Sequence, residues 1–139
     1  MRTKQGVENS YKCPIEVNWL DWGRCAEYTD EVQYLTSLIE LRKQHPAFRL
    51  KSSEEIREHL HFEEAPGHTI AYTLRNHAGG DPDQHLYVIY HANHEKTALK
   101  LPSLGEWEVR FGQEYVLALS DNIVEVHGIG MVVLGVRNS

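Results

Sequence analysis

The spacing of the hydrophobic residues changes near residue 60 of this 139-residue chain, and this change constrains the fold more than any other feature. Before it, apolar residues recur three and four positions apart, at Val32, Leu35, Leu38, Ile39 and Leu41. After it, apolar and polar residues alternate, as at Trp107, Val109 and Phe111. The first spacing is typical of an amphipathic helix and the second of half-buried strands. The sequence therefore predicts a helix followed by a sheet-forming segment.

Signals at both ends of the helical segment place the helix at about residues 30–44. Thr29 is a candidate N-cap, and Asp30 adds negative charge where the helix dipole favours it. Pro46 disfavours helical backbone at the residue before it, so the helix is expected to end there. Residues 6–28 show no sustained period, and we expect a loop before this helix.

A short helix is predicted over 53–59, because Ser52 and Glu55 have the spacing of a capping box.

Short apolar stretches follow this helix at the spacing of β-hairpins. Residues 86–90 are apolar on both faces, which is typical of a central buried strand. About seven or eight strands follow one another with no helix between them, as in an antiparallel sandwich or barrel. The fold class expected is mainly β, an antiparallel β-sandwich preceded by a loop and one long α-helix.

Composition excludes several classes of partner. The formal net charge is −6, and no basic stripe is present, so neither nucleic acid nor an anionic membrane is expected as a partner. The N-terminal residues lack the apolar stretch of a signal peptide, so none is expected, and no apolar run approaches the length that spans a bilayer. These features indicate a cytoplasmic location for the chain, whereas a longer parent protein could be secreted. Cys13 and Cys25 lack CxxC spacing, so free thiols are expected, and a disulfide between them is the alternative.

The nine histidines raise the question of a metal site. His59 and His61 would share one face of a predicted strand, and His91 and His94 flank a turn. No CxxC or HExxH motif accompanies them, so solvent-facing positions are the favoured interpretation. The run 81–83 (Asp-Pro-Asp) begins like a calcium loop but lacks EF-hand spacing, and turn chemistry explains it better. The sequence therefore predicts no metal site and no cofactor.

A loop rich in amides and aromatics precedes the helix. It contains Asn18, Trp19, Asp21 and Trp22. Aromatic faces beside amides and carboxylates are the groups that bind sugars, by stacking and by planar hydrogen bonds. The alternative is that both tryptophans are core anchors. The residues alone leave both interpretations open.

The same loop carries a resemblance to a known family. The run Asn9-Ser10-Tyr11, followed by Asn18-Trp19-Leu20-Asp21-Trp22, resembles the last active-site-side loop of type I pullulanases, which are debranching enzymes of the α-amylase superfamily. Residues 34–49 are similar to the final helix of their (β/α)8 barrel, and residues 71–78 and 88–93 to the first strands of their C-terminal β-sandwich. The resemblance implies two domains, residues 1–50 from the end of the barrel and residues 51–139 forming the sandwich.

The resemblance implies a function that the chain performs only as part of a larger enzyme. The chain would be the C-terminal portion of a hydrolase of α-1,6-glucosidic bonds, which stabilises the catalytic barrel and lines part of its sugar-binding rim. The partners implied are that barrel and an α-glucan, such as pullulan, branched starch or glycogen dextrins. The catalytic carboxylates of the family lie on earlier barrel strands, so no catalytic residue is assigned and the chain alone is expected to be inactive. The candidate substrate-binding residues are Asn9, Tyr11, Glu16, Asn18, Asp21 and Trp22.

Two alternatives remain at this stage. One is a free-standing β-sandwich module that binds α-glucan without hydrolysing it. The other is an interaction protein that self-associates through an exposed helix face formed by Val32, Leu35 and Ile39, because exposed apolar patches promote association. One departure from the family also bears on the rim, since Ile15 stands where many relatives have an acidic residue and Glu16 follows it.

Overall fold

The computed structural model describes residues 6–19 and 21–137. The chain divides into two compact units, Met1–Glu40 and Leu41–Ser139. The expected boundary between residues 50 and 51 remains a prediction. Within the described residues, no helix combines the length and the apolar character that crossing a membrane requires.

The first unit is helical. Two single-turn helices, α1 (Ile15–Asn18) and α2 (Arg24–Glu27), lie within the segment expected to be a loop. The long helix α3 (Thr29–Gln44) begins and ends where the sequence predicts. Thr29 is not its N-cap, because the Thr29 hydroxyl donates to the carbonyl of Ala26 at 2.9 Å, and α2 passes almost directly into α3.

The predicted second helix is confirmed as α4 (Ser53–His59). The Ser52 hydroxyl accepts the amide hydrogen of Glu55 at 3.1 Å, and the Glu55 carboxylate accepts the amide of Ser52 at 3.1 Å. This is the reciprocal capping box that the spacing predicts. The backbone amides of Lys51 and Ser52, which both donate to the Glu55 carboxylate, also lower the pKa of Glu55. Between α3 and α4 the chain makes a 3₁₀ turn over Pro46–Arg49.

Within the part of the chain that the structure describes, eight antiparallel strands form two sheets, which confirms the predicted β-sandwich. The strands are β1 (Leu60–Glu63), β2 (Thr69–Leu74), β3 (His85–Ala92), β4 (Thr97–Lys100), β5 (Glu108–Phe111), β6 (Val116–Leu119), β7 (Ile123–Val126) and β8 (Ile129–Val136). One sheet has five strands in the order β1-β2-β3-β8-β5, and the other has three in the order β4-β7-β6. The free edges of the two sheets therefore include β1 and β4.

The core lies between the two sheets. Strands β3 and β8 are central in the larger sheet, and Tyr87 and Leu134 from them are fully buried. The rings of Tyr87 and Trp107 lie 5.8 Å apart, and the Trp107 indole donates to the carbonyl of Pro102 at 3.0 Å. Gly112 has a φ of 77°, and a Cβ there would collide with the carbonyl oxygen of Met131. Glycine is therefore required where the chain leaves β5.

Candidate functional site

The six candidate substrate-binding residues all lie in the first unit and are all exposed. Tyr11 is 87% exposed and Trp22 is 72% exposed. Trp19 is also 58% exposed, so neither tryptophan is a core residue of this chain. Large aromatic side chains left open to solvent in this way commonly mark a binding or docking surface.

Asn18 shapes the loop that presents these side chains. Its amide nitrogen donates to the carbonyls of Ser10 at 2.9 Å, Cys13 at 3.2 Å and Pro14 at 3.4 Å. The Asn18 amide group therefore holds three backbone carbonyls of the loop together, and one of these three residues, Ser10, is buried. A buried or crowded carbonyl needs such a donor, which gives Asn18 a structural reason to be an amide.

The remaining candidates are placed by local turns. The Asn9 side-chain oxygen accepts the amide hydrogen of Tyr11 at 3.4 Å, and the Asp21 carboxylate accepts that of Gly23 at 3.1 Å. Both are side-chain-to-backbone turns over two residues, which these residue types commonly form. Glu16 lies in the first turn of α1. The side chains of Tyr11, Glu16 and Trp22 thus face solvent and do not contribute to the fold of the described residues.

The cysteines in this unit are free thiols, and both are half-buried. This confirms the expectation for Cys13 and Cys25.

The histidines singled out by the sequence serve the backbone instead. His59 is the last residue of α4 and not a strand residue, so it shares no strand face with His61. The His59 ring bonds to the carbonyl of Arg75 at 2.8 Å, and the His61 ring to that of Glu58 at 3.1 Å. The expectation that both are solvent-facing strand positions is therefore wrong for His59, because the helix continues through it.

His91 is buried between strands of the two sheets. Its Nδ1 lies 2.7 Å from the carbonyl of Gly128, and its Nε2 lies 2.9 Å from the hydroxyl of Thr97. A carbonyl can only accept, so Nδ1 donates to Gly128, and Nε2 is hydrogen-bonded to the Thr97 hydroxyl. His91 thus bridges strands β3 and β4, and it is buried, whereas the sequence favours a solvent-facing position.

One group of three potential ligands occurs among the described residues: His45, Asp81 and Asp83. All three are buried, and their ligand atoms lie within 4.8 Å of one another. The sequence predicts turn chemistry for the run 81–83 and does not predict His45 beside it, since His45 lies 36 positions from Asp81. No local pattern joins these positions, so no signal in the sequence pointed to the pair.

The donors around this cluster explain it without a metal. Asp81 accepts from the His45 ring at 2.9 Å and from the amides of Ala47 at 3.2 Å and Asp83 at 3.0 Å. Asp83 accepts from Arg110 through two nitrogens, at 2.6 and 3.2 Å, and from Arg137 at 3.1 Å. Every oxygen of the two carboxylates has a donor. The cluster is therefore a buried ion-pair network.

The same network decides what these carboxylates can do chemically. Burial by itself raises the pKa of the Asp83 carboxyl, but the hydrogen bonds from Arg110 and Arg137 outweigh burial, so the pKa lies below its ordinary value. A general acid for glycoside hydrolysis needs the opposite shift. Among the described residues, Asp81 and Asp83 are the buried carboxylates, and their environment suits a structural role.

A cleft of about 600 Å³ opens beside the free sheet edges, and its walls include Ala65, Pro66, Leu99 and Leu101. Glu63 also lines it, and the Glu63 carboxylate accepts from Thr73 at 2.7 Å and from Arg75 at 2.8 Å. Both hydrogen bonds are accepted by Oε1 of the Glu63 carboxylate.

Comparison with known proteins shows which family has this architecture. A family described as the pullulanase all-beta domain matches residues 56–114. A curated pullulanase from Bacillus subtilis (strain 168) is 43% identical over 102 residues, which are 73% of this chain and 14% of that protein.

Solved structures match over nearly the whole chain. A mutant pullulanase from Paenibacillus barengoltzii, complexed with maltotriose, is 66% identical over 99% of this chain and 22% of its own, with a TM-score of 0.94. A pullulanase from Anoxybacillus sp. LM18-11, also complexed with maltotriose, is 37% identical over 97% of this chain and 19% of its own, with a TM-score of 0.82.

These matches place the chain in the pullulanase family. Within that family it carries the pullulanase all-beta domain, and its resemblance to the C-terminal portion of a pullulanase is confirmed. The chain spans 14% of the curated pullulanase and 22% of the Paenibacillus enzyme.

Proposed function

We propose that this chain acts as the C-terminal portion of an α-1,6-glucan debranching hydrolase, in which it stabilises the catalytic barrel and lines part of the sugar-binding rim. The observation that carries the proposal is the match over 99% of this chain to a pullulanase complexed with maltotriose, of which the chain spans only 22%. An α-glucan such as pullulan is therefore the substrate class proposed for the assembled enzyme. The chain would reach it only together with the barrel.

The chain is proposed to be inactive by itself. Retaining glycoside hydrolysis needs a nucleophile and an acid/base carboxylate about 5–5.5 Å apart, with the acid held protonated. Asp81 and Asp83 are bound by backbone amides, a histidine and two arginines, and the lowered pKa of Asp83 keeps it ionised. This environment supports a chain that contributes structure and substrate contacts while another segment supplies the chemistry.

The rim is proposed to use the exposed loop of the first unit. Tyr11 and Trp22 offer aromatic faces for stacking on sugar rings, and Asn9, Glu16 and Asp21 offer polar groups for hydroxyls. Asn18 supports them through its hydrogen bonds to the loop backbone. A cytoplasmic location is part of the same proposal, and cell fractionation of the source organism tests it.

Reconstitution tests the proposal. The purified chain is mixed with a Paenibacillus barengoltzii pullulanase that lacks its matching segment, and maltotriose release from pullulan is measured. We expect no release by the chain alone, weak release by the shortened enzyme and restored release by the mixture. Release by the chain alone would overturn the proposed inactivity. A mixture no more active than the shortened enzyme would overturn the stabilising role.

A substitution in the same mixture tests the rim. Trp22→Ala should raise KM for pullulan several-fold, because a stacking face is lost, whereas Leu117→Ala should not. Leu117 is a suitable control because it is also exposed, at 51%, but lies on β6. Equal KM values for the two variants would remove Trp22 from the rim.

A free-standing α-glucan-binding module is the second candidate, and the exposure of Tyr11 and Trp22 favours it equally. Electrophoresis of the chain in a pullulan gel separates the two. Retardation that Trp22→Ala abolishes would support the free-standing module, and unretarded migration would count against it.

A further inference from the structure

The cleft of about 600 Å³ lies on an open side of the sandwich. One wall is the end of β1 with the turn that follows it, and the other is β4 with the residues after it. Both strands lie at the ends of their sheets, so the cleft opens between two free sheet edges. We call it the sheet-edge cleft, and it is lined by residues 63–66 and 98–103. Its volume is within the range of about 300–1,000 Å³ in which proteins hold small molecules.

Strand β4 presents unpaired backbone groups along this cleft. The amide of Leu101 donates at 2.8 Å to the carbonyl of Asn122, the residue opposite it when the register with β7 is extended. Alternate residues bond to the partner strand in an antiparallel pair, so the odd-numbered residues of β4 bond to β7. The amide and carbonyl groups of Ala98 and Lys100 therefore point to the free edge, which borders the cleft.

The opposite wall adds a hydrogen-bond acceptor. Oε1 of Glu63 accepts from Thr73 and Arg75, whereas Oε2 accepts no hydrogen bond from the described residues. The Glu63 side chain is 19% exposed and lines the cleft. A ligand in the cleft that carries donors therefore has an unused carboxylate oxygen to bind.

The charges around the cleft cancel. Glu63 is paired with Arg75 at 2.8 Å, and the exposed Glu64 on one wall is matched by the exposed Lys100 on the other. A charged ligand therefore gains little net attraction from this site. A neutral ligand with several hydroxyls fits better, because each hydroxyl donates to a carboxylate or carbonyl oxygen and accepts from an amide.

A peptide strand is the other kind of occupant that pairs with a free edge. The edge of β4 discourages strand addition, because Lys96 and Lys100 lie at its two ends and Pro102 follows. A sugar needs no strand alignment to reach the same backbone groups. Pro66 and Pro102, one on each wall, also provide apolar surface for the C–H groups of a sugar ring.

We propose that the sheet-edge cleft binds a short stretch of neutral α-glucan, whose hydroxyls donate to Oε2 of Glu63 and pair with the free backbone groups of Ala98 and Lys100. The choice of an α-glucan rests on the proposed function, in which the chain belongs to a debranching hydrolase. The cleft lies entirely within the second unit, so it includes none of the candidate rim residues. The sandwich therefore holds glucan through residues of its own.

Titration of the full chain with maltotriose, followed through amide NMR shifts, tests the site. We expect saturable shifts at the amides of the cleft, and none with cellotriose, whose units are β-linked. Glu63→Gln should raise the Kd for maltotriose about tenfold, because glutamine keeps an oxygen for Thr73 and Arg75 but replaces Oε2 by a donor. Glu125→Gln is the matched control and should leave Kd unchanged, since Glu125 is also ion-paired, with Lys96 at 2.6 Å, but does not line the cleft.

A second variant, Ala98→Pro, tests the backbone contribution and remains informative if Glu63→Gln does not fold. Proline removes the one amide hydrogen of this residue that points to the free edge, and edge positions of this kind tolerate proline. The Tm of each variant is measured first. Binding of maltotriose should weaken in Ala98→Pro while its Tm stays close to that of the unchanged chain.

Several results would overturn the inference. Equal Kd for the unchanged chain, Glu63→Gln and Ala98→Pro would do so, as would equal binding of cellotriose or the absence of any saturable shift. Sugar-dependent shifts confined to residues 6–40 would assign binding to the first unit instead. Shifts at the cleft that depend on protein concentration without sugar would show that the edge pairs with a second copy. The proposed function fails separately, when the mixture with the shortened pullulanase does not restore maltotriose release, so the two failures are distinguishable.

Discussion

At the scale of single residues, the buried ion-pair network around Asp83 is the most consequential feature. Its carboxylate is fully buried and is paired with Arg110, whose side chain is 13% exposed. Asp83→Asn should lower the free energy of unfolding at neutral pH by about 3 kcal/mol, because removing one partner leaves a buried charge uncompensated. Urea denaturation at pH 7 measures the loss.

The pH dependence of that loss has a definite sign. The pKa of Asp83 is lowered in the folded chain, so the stabilisation is present above the pKa of the unfolded carboxyl, about 3.9. It disappears as the pH falls below that value and through the lowered folded pKa. The difference in the free energy of unfolding between Asp83→Asn and the unchanged chain should therefore decrease at acid pH. Glu108→Gln is the control, since Glu108 pairs with the same arginine but is 70% exposed, and it should cost little. A loss that is equal at neutral and acid pH would contradict the ion-pair account.

At the scale of elements, the capping box of α4 predicts a difference between two adjacent serines. The Ser52 hydroxyl caps the helix, whereas the Ser53 hydroxyl bonds only to the exposed Glu54 side chain at 3.0 Å. Ser52→Ala should lower the free energy of unfolding by about 1 kcal/mol, and Ser53→Ala should leave it nearly unchanged. Thermal and urea unfolding of the two variants check this. Equal losses would show that the capping box is not what stabilises α4.

Elements such as α4 were predictable because their signals are local. A capping box spans four positions, and a run that is apolar on both faces indicates a central strand, so β3 and the burial of residues 86–89 followed from the sequence, although Tyr90 is exposed. The order of strands was not predictable, because β8 pairs with β3 across more than thirty residues of intervening chain. His45 and Asp81 were missed for the same reason, and so was the bridge that His91 makes to Thr97. The sequence identified the exposed loop of the candidate site, but it did not separate Asn18, which holds the loop backbone, from the side chains that face solvent.

At the scale of the whole molecule, the two units differ in how much they bury. Among the described residues 6–19 and 21–40, Ser10 is the one buried residue. The second unit has a continuous core with residues such as Val88 and Leu134 at zero exposure. Local opening of a segment costs little free energy where few apolar groups are buried. The first unit, which carries the candidate rim residues, is therefore the part that most needs a partner surface to hold its conformation.

Amide hydrogen exchange measures this contrast directly. In the chain alone, amides of α3 before residue 41 should exchange about a hundredfold faster than those of β3 and β8, a ratio equivalent to about 3 kcal/mol in opening free energy. On addition of the shortened pullulanase, protection should rise in the first unit, because a partner that packs on this unit would bury side chains such as Leu35 and Ile39, which are 58% and 56% exposed in the chain alone. The central strands serve as the internal control, since they are already buried. Equal protection of the two units in the isolated chain would contradict the difference in burial, and protection that does not rise with the partner would show that the barrel does not hold this unit.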